Sequence, residues 1–133
     1  MLTNGKISAV VPVTNLARAR EFYEGTLSLT PNANGENTGA IEYENAGSML
    51  ILYERETPTS GDHTTLGFML SAADFEAAVD GLRAKGVTFD VWNPPGAELN
   101  WDSKGVLRMD NGASAWFKDP DGNVISLMTG RMG

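Results

Sequence analysis

Apolar residues along this chain fall into short alternating runs broken by two stretches at helical spacing, and the succession occurs twice. Residues 7–13 read as a strand, with Ile7, Ala9, Val11 and Val13 on one face and Ser8, Val10 and Pro12 on the other. Asn15 offers a helix N-cap, and Leu16, Ala19, Tyr23 and Leu27, with Phe22 beside them, form a buried stripe; Arg18, Glu21 and Glu24 supply the wet side. Residues 28–37 are turn-rich with room for a short strand. Two strands follow at 39–44 and 48–54, joined by Asn45, Ala46 and Gly47. The charged and small residues of 55–64 make the best linker in the chain.

The pattern then restarts. Residues 66–70 read as a strand, Asp74 as an N-cap, and Phe75, Ala78, Val79 and Leu82 as the buried stripe of a helix ended by Gly86. Ile7 matches Leu66, Asn15 matches Asp74, Leu16 matches Phe75 and Tyr23 matches Leu82, each pair 59 residues apart. The strongest local signal comes last. Asp119, Pro120, Asp121 and Gly122 specify a tight turn, with Pro120 presetting one backbone angle and Gly122 free to take a positive φ. Strands flank it, Ile125 and Leu127 facing one way and Val124, Ser126 and Met128 the other. Residues 47–53 resemble 122–128 at an offset of 75, so 16 further residues lie in the second repeat, within 92–112.

Two copies of strand, helix and strands predict an α+β fold in which each sheet packs one face on its helix and the two inner faces enclose a cleft, the default place for a ligand. A chain of 133 residues is expected to be one domain, with module one at 5–56, a linker at 57–63 and module two at 64–130. Zero cysteines remove thiolate chemistry and disulfides, and a net charge of -7 argues against nucleic acid or an anionic membrane as partner. No apolar run reaches the length of a membrane span and the N-terminus lacks a signal-peptide pattern, so a cytoplasmic address is expected.

The residues Val11 to Val13 leading into Asn15 and Leu16, then Phe22-Tyr23, Leu27-Ser28-Leu29, the helix end Arg83-Ala84-Lys85-Gly86-Val87, and the Asp119 to Asn123 turn followed by Ile125-Ser126-Leu127 carry a resemblance across nearly the whole chain. In this order they resemble the vicinal oxygen chelate superfamily, which includes glyoxalase, extradiol dioxygenase, fosfomycin-resistance and bleomycin-resistance proteins. The resemblance implies two pseudo-twofold-related βαβββ modules forming a cupped, incompletely closed mixed sheet, a small-molecule ligand and a homodimer. It also implies where relatives hold a divalent metal: Ser8, Ile51, Gly67 and Ser126 here, two hydroxyls, a hydrocarbon and no side chain at all. A divalent ion needs several carboxylate or imidazole donors, so no metal and no other cofactor is expected.

His63, the single histidine, falls in the linker and reads as a solvated residue; Asp62, Glu54 and Glu56 near it are a wet rim or, less simply, an all-carboxylate site. Catalytic residues are not assigned, although Asp90, Glu98, Asp102 or Asp110 on a cup wall would gain acid–base capacity if burial raised a pKa. Alternation gives the cup lining as Ser8, Val10, Ile51, Tyr53, Gly67, Met69, Ser126 and Met128, to which Trp101 is added as a preferred contact because a long loop carrying an indole suits a planar or cationic ligand. Trp92 flanks the same loop, and Trp116 is either core, interface or pocket. The expectation is a metal-free protein sequestering a cationic or aromatic compound; the alternative is a lyase, isomerase or dioxygenase-like enzyme with a displaced metal site or carboxylate catalysis.

Overall fold

A computed structural model describes residues 1–32 and 39–130. The chain divides into two compact units, Met1–Thr65 with Asp119–Asn123, and Leu66–Lys118 with Val124–Gly133. The architecture is α+β, with one mixed sheet of three strands and a second sheet of four.

In the first unit, β1 (Ser8–Val13) leads into α1 (Leu16–Arg20), which continues as a π-helical turn over Glu21–Thr26; β2 (Ala40–Asn45) and β3 (Ser48–Glu54) complete the sheet in the order β1-β3-β2. Strand β1 runs parallel to β3, with Val10 opposite Ile51, and β2 runs antiparallel to it, with Glu42 opposite Ile51. Asn15 caps α1 as expected, its side chain accepting the Arg18 N–H at 3.0 Å. Alternation then does its work: Val11, Val13, Ile41, Tyr43, Leu50 and Leu52 are buried together with Ala19 and Tyr23 of the helical segment. Two expectations fail here. Ile7 lies before the strand and is 92% exposed, so the buried face begins further along. The helical stripe is buried only at Ala19 and Tyr23: Leu16, at the first helical position, is half-buried, and so is Leu27, because the π turn shifts the helical period by one residue and Leu27 becomes its last cap. Of the turn-rich 28–37 segment, Pro31 forms a single antiparallel bridge with Tyr43, and the rest of the anticipated short strand, 33–37, lies outside the described residues.

The second unit runs β4 (Thr64–Met69), α2 (Ala72–Ala84), β5 (Leu107–Met109), β6 (Gly112–Lys118) and β7 (Val124–Thr129), with sheet order β4-β7-β6-β5. The N-cap of α2 is Ser71 and not Asp74: the serine hydroxyl accepts the Asp74 N–H at 3.1 Å. The helix thus starts one turn earlier, and Asp74 takes the third helical position, where a carboxylate faces the positive end of the helix. At the far end Gly86 takes φ +91°, and the N–H groups of Gly86 and Val87 bond back to the carbonyls of Arg83 and Leu82, each at 3.0 Å, closing the helix as anticipated. Phe75, Val79 and Leu82 of α2 are buried, as are Phe89, Val106, Ala113, Ala115, Phe117, Ile125 and Leu127. Strand β5 carries no clear signal in the sequence; three residues long, it forms through its ladder with β6 and the bridge of Trp101 to Leu107.

Candidate ligand-binding site

The register of the second sheet sorts its side chains. Phe117 pairs with Ile125 and Ala115 with Leu127 on the core face, so Trp116, Ser126, Ser114 and Met128 share the opposite face, with Trp116 directly across from Ser126 and Ser114 across from Met128. On β4, Gly67 abuts the same serine: a Cβ there would sit 2.6 Å from Ser126 Oγ. Two of the positions that the superfamily resemblance marks for a metal are therefore brought side by side, and they fit no divalent cation, since Gly67 has no donor and Ser126, buried at 3% exposure, offers one neutral hydroxyl. Met69 is 46% exposed and Met128 half-buried.

Beside this face, the three tryptophans meet. Ring centroids lie 4.7 Å apart for Trp92 and Trp116, 5.2 Å for Trp92 and Trp101, and 6.0 Å for Trp101 and Trp116, with steep interplanar angles favoured by the ring quadrupoles. The Trp101 indole is not the free ring the loop suggested. Its N–H donates to the Trp92 carbonyl at 2.9 Å and to Asn93 Oδ1 at 3.2 Å, so Trp101 is a fixed wall, and the exposed member is Trp92, at 47%. Trp116 belongs to this cluster. Sequence reading placed the three rings in one module but had no means of bringing them within contact, because 92–106 is held by side-chain hydrogen bonds with no periodic signal.

The Asp102 carboxylate ties that loop down. It accepts the N–H groups of Lys104 at 2.8 Å and Val106 at 2.9 Å and the Arg108 Nε at 3.1 Å, while Arg108 also makes a bidentate pair with Glu76, both bonds 2.8 Å. Burial alone would raise the Asp102 pKa, but the hydrogen bonds from Val106, Lys104 and Arg108 outweigh it and hold the group below the ordinary carboxylate range. The idea of Asp102 as an acid with a raised pKa is thereby overturned. Asp90 lies 3.9 Å from Lys118, and Glu98 and Asp110 are exposed, so none of these is buried.

On the first sheet, Val10 (54% exposed), Ile51 and Tyr53 share the face away from α1, with Ser8 exposed at its start. One residue there escaped the sequence reading. Glu42, opposite Ile51, is half-buried on this apolar face and its side chain has no hydrogen-bond or ion-pair partner among the described residues. The alternation of β2, with Ile41 and Tyr43 buried, was the available signal. In the linker, His63 pairs with Asp62 at 2.7 Å in full exposure, and Glu54 is taken by the Leu16 N–H at 2.8 Å. Among the described residues no group of three or more histidine, cysteine, aspartate or glutamate side chains is placed to hold a metal, and no helix is long and apolar enough to cross a membrane.

Comparison with known proteins agrees with this architecture. The chain is 29% identical over 126 residues to the glutathione transferase FosA of Serratia marcescens, covering 90% of this chain and 77% of that protein. Among solved structures, TnmS3, an antibiotic binding protein from Streptomyces, is 26% identical with a TM-score of 0.60 over 95% of this chain and 97% of its own. The fosfomycin resistance protein FosX of Listeria monocytogenes shares the fold at 16% identity, with a TM-score of 0.69 over 96% of this chain and 94% of that one. Residues 7–127 match the sequence profile of the Glyoxalase/Bleomycin resistance protein/Dioxygenase superfamily, and the chain belongs to that superfamily.

Proposed function

We propose that this protein binds an aromatic small molecule, cationic by preference, without a metal, and so acts by sequestration. The observation that carries the reading is the Gly67 and Ser126 pair lying next to Trp116: at two positions that the superfamily resemblance marks for an ion, this chain has a neutral pair beside three packed indoles. Ligand contact on the second sheet is assigned to Gly67, Met69, Ser126 and Met128, with Trp101 and Trp116 as walls. The first sheet by itself offers an apolar face of Ser8, Val10, Ile51 and Tyr53, on which Glu42 carries a negative charge with no partner among the described residues. The 26% identity to an antibiotic binding protein over nearly full length supports this reading. The absence of cysteine fits a cytoplasmic address, and Ile7, exposed just before the edge strand β1, fits a homodimer.

A second reading rests on the 29% identity to the glutathione transferase FosA, with the fold shared with the fosfomycin resistance protein FosX: an enzyme acting on fosfomycin with glutathione. The two separate in one set of measurements. Proflavine, a planar aromatic cation, is expected to quench tryptophan fluorescence with one-to-one saturation, unchanged by a chelator and weakened about 5- to 150-fold in Trp116→Ala, since stacking on an indole contributes about 1–3 kcal/mol. Stoichiometric cobalt(II) binding together with manganese-dependent loss of fosfomycin would overturn sequestration and install the enzyme.

A further inference from the structure

The second unit carries a hollow of about 800 Å³ that shares only Trp101 with the surface described above. It lies where the C-terminal turn of α2 meets residues 86–91 and 101–105, and neither Gly67, Ser126 nor Trp116 lines it. We propose that this hollow is a separate small-molecule site, and that it takes a planar aromatic anion of the arene carboxylate class.

Its volume is that of a small-molecule site. The walls are apolar where they need not be: Val87, Val91 and the Trp101 ring line it, and Val91 is 53% exposed beside the indole. Burying a valine against a flat ring is favourable, and a planar ligand satisfies both surfaces at once. The charges narrow the class further. Four charged side chains line the hollow, and three are committed: the Lys104 ammonium sits 2.7 Å from Asp80 Oδ1, and the Asp102 carboxylate turns into its own loop to accept the N–H groups of Lys104 and Val106 and the Arg108 guanidinium. The fourth, Arg83, has neither a hydrogen bond nor an ion pair from its side chain among the described residues. In a chain of net charge -7 the hollow is thus lined by one cation uncommitted among the described residues, together with an aromatic residue. A guanidinium is planar and binds carboxylate through two parallel N–H bonds, which matches the geometry of an arene carboxylate. A bare phosphate would use Arg83 but leave the valines and the indole wet.

The wall is also preformed. Gly105 takes φ +87°, and a Cβ there would approach the Phe89 Cβ to 3.1 Å, so the 101–105 loop lies directly on the residues behind it. A site that needs no ordering loses less affinity on binding.

The probes are 2-naphthoate and its neutral amide, 2-naphthamide, titrated by calorimetry. Saturable one-to-one binding of 2-naphthoate is expected, weakened about tenfold in Arg83→Gln and abolished in Val91→Asp, with 2-naphthamide binding weakly and equally to the parent protein and Arg83→Gln. Arg83 is exposed, so the variant folds, and its far-ultraviolet circular dichroism checks this. Unchanged 2-naphthoate affinity in Arg83→Gln, or no saturation up to millimolar ligand, overturns the proposal. Its fate is independent of the sequestration reading: Arg83→Gln is expected to lose 2-naphthoate while keeping proflavine within twofold, because Arg83 lies outside the surface assigned to proflavine.

Discussion

Each sheet closes its last hairpin with a turn, and the two turns are built on opposite principles. Between β2 and β3 only Ala46 and Gly47 intervene, both at positive φ (50° and 82°), both exposed, in the mirror-image turn that suits the twist of a two-residue hairpin. Between β6 and β7 the connection is Asp119–Asn123, and it is a buried polar core in its own right within the first unit. Asp119, 5% exposed, accepts the Tyr23 hydroxyl at 2.8 Å, the Asn123 side-chain amide at 2.9 Å, and the N–H groups of Asp121 and Asn123 at 2.9 Å. Asn123 donates onward to the Pro12 carbonyl at 2.8 Å, and Asp121 accepts the Thr14 N–H and the Arg18 guanidinium, each at 3.0 Å. The first turn does nothing but reverse the chain. The second joins β1, α1 and the hairpin end through charge-assisted hydrogen bonds in a poorly hydrated place, where such bonds are strong and their loss is costly.

The largest test of that contrast is Asp119→Ala, which strands four donors and is expected to destabilise the fold by about 3–5 kcal/mol in chemical denaturation. A loss under about 1 kcal/mol would mean the network is solvated and the two turns are alike. Alkali probes the same network more gently. Burial first, and then the neighbouring Asp119, raise the Tyr23 pKa; burial and the Glu24 hydrogen bond raise that of Tyr43. With both folded values above the unfolded value near 10, the stability these hydroxyls contribute is complete below about pH 10 and falls as pH rises beyond it, by up to about 1.4 kcal/mol per pH unit for each tyrosine. Absorbance at 295 nm should show the two ionising only with unfolding; early, non-cooperative ionisation would contradict their burial. The smallest effect belongs to the simple turn. Alanine is strained at positive φ, so Ala46→Asn should stabilise by about 0.5–1 kcal/mol, read as a small rise in the denaturation midpoint.

These turns also show what local sequence can carry. Asp119-Pro120-Asp121-Gly122 announces a turn because Pro and Gly set its angles, and the turn forms, with Gly122 at φ +87°. Nothing in those letters says that Asp119 reaches Tyr23, 96 residues away. The same division holds at the caps: Asn15 is where the pattern put it, whereas Ser71 displaced Asp74 because two capping residues stood within one turn and either start satisfies the local rule.

By itself the sequence determined the α+β class, the buried positions Ala19, Tyr23, Phe75, Val79 and Leu82 of the two helical segments, and both turns, since periodicity and turn chemistry are local properties. The tertiary structure alone decided that Gly67 makes room for Ser126, that Trp92, Trp101 and Trp116 are one cluster, that Asp102 is a loop anchor, and that Glu42 and Arg83 have no side-chain partner among the described residues. Each of these depends on which strands are neighbours and on how an irregular segment returns to the sheet, and contacts of that kind leave no period in the chain for a reader to find.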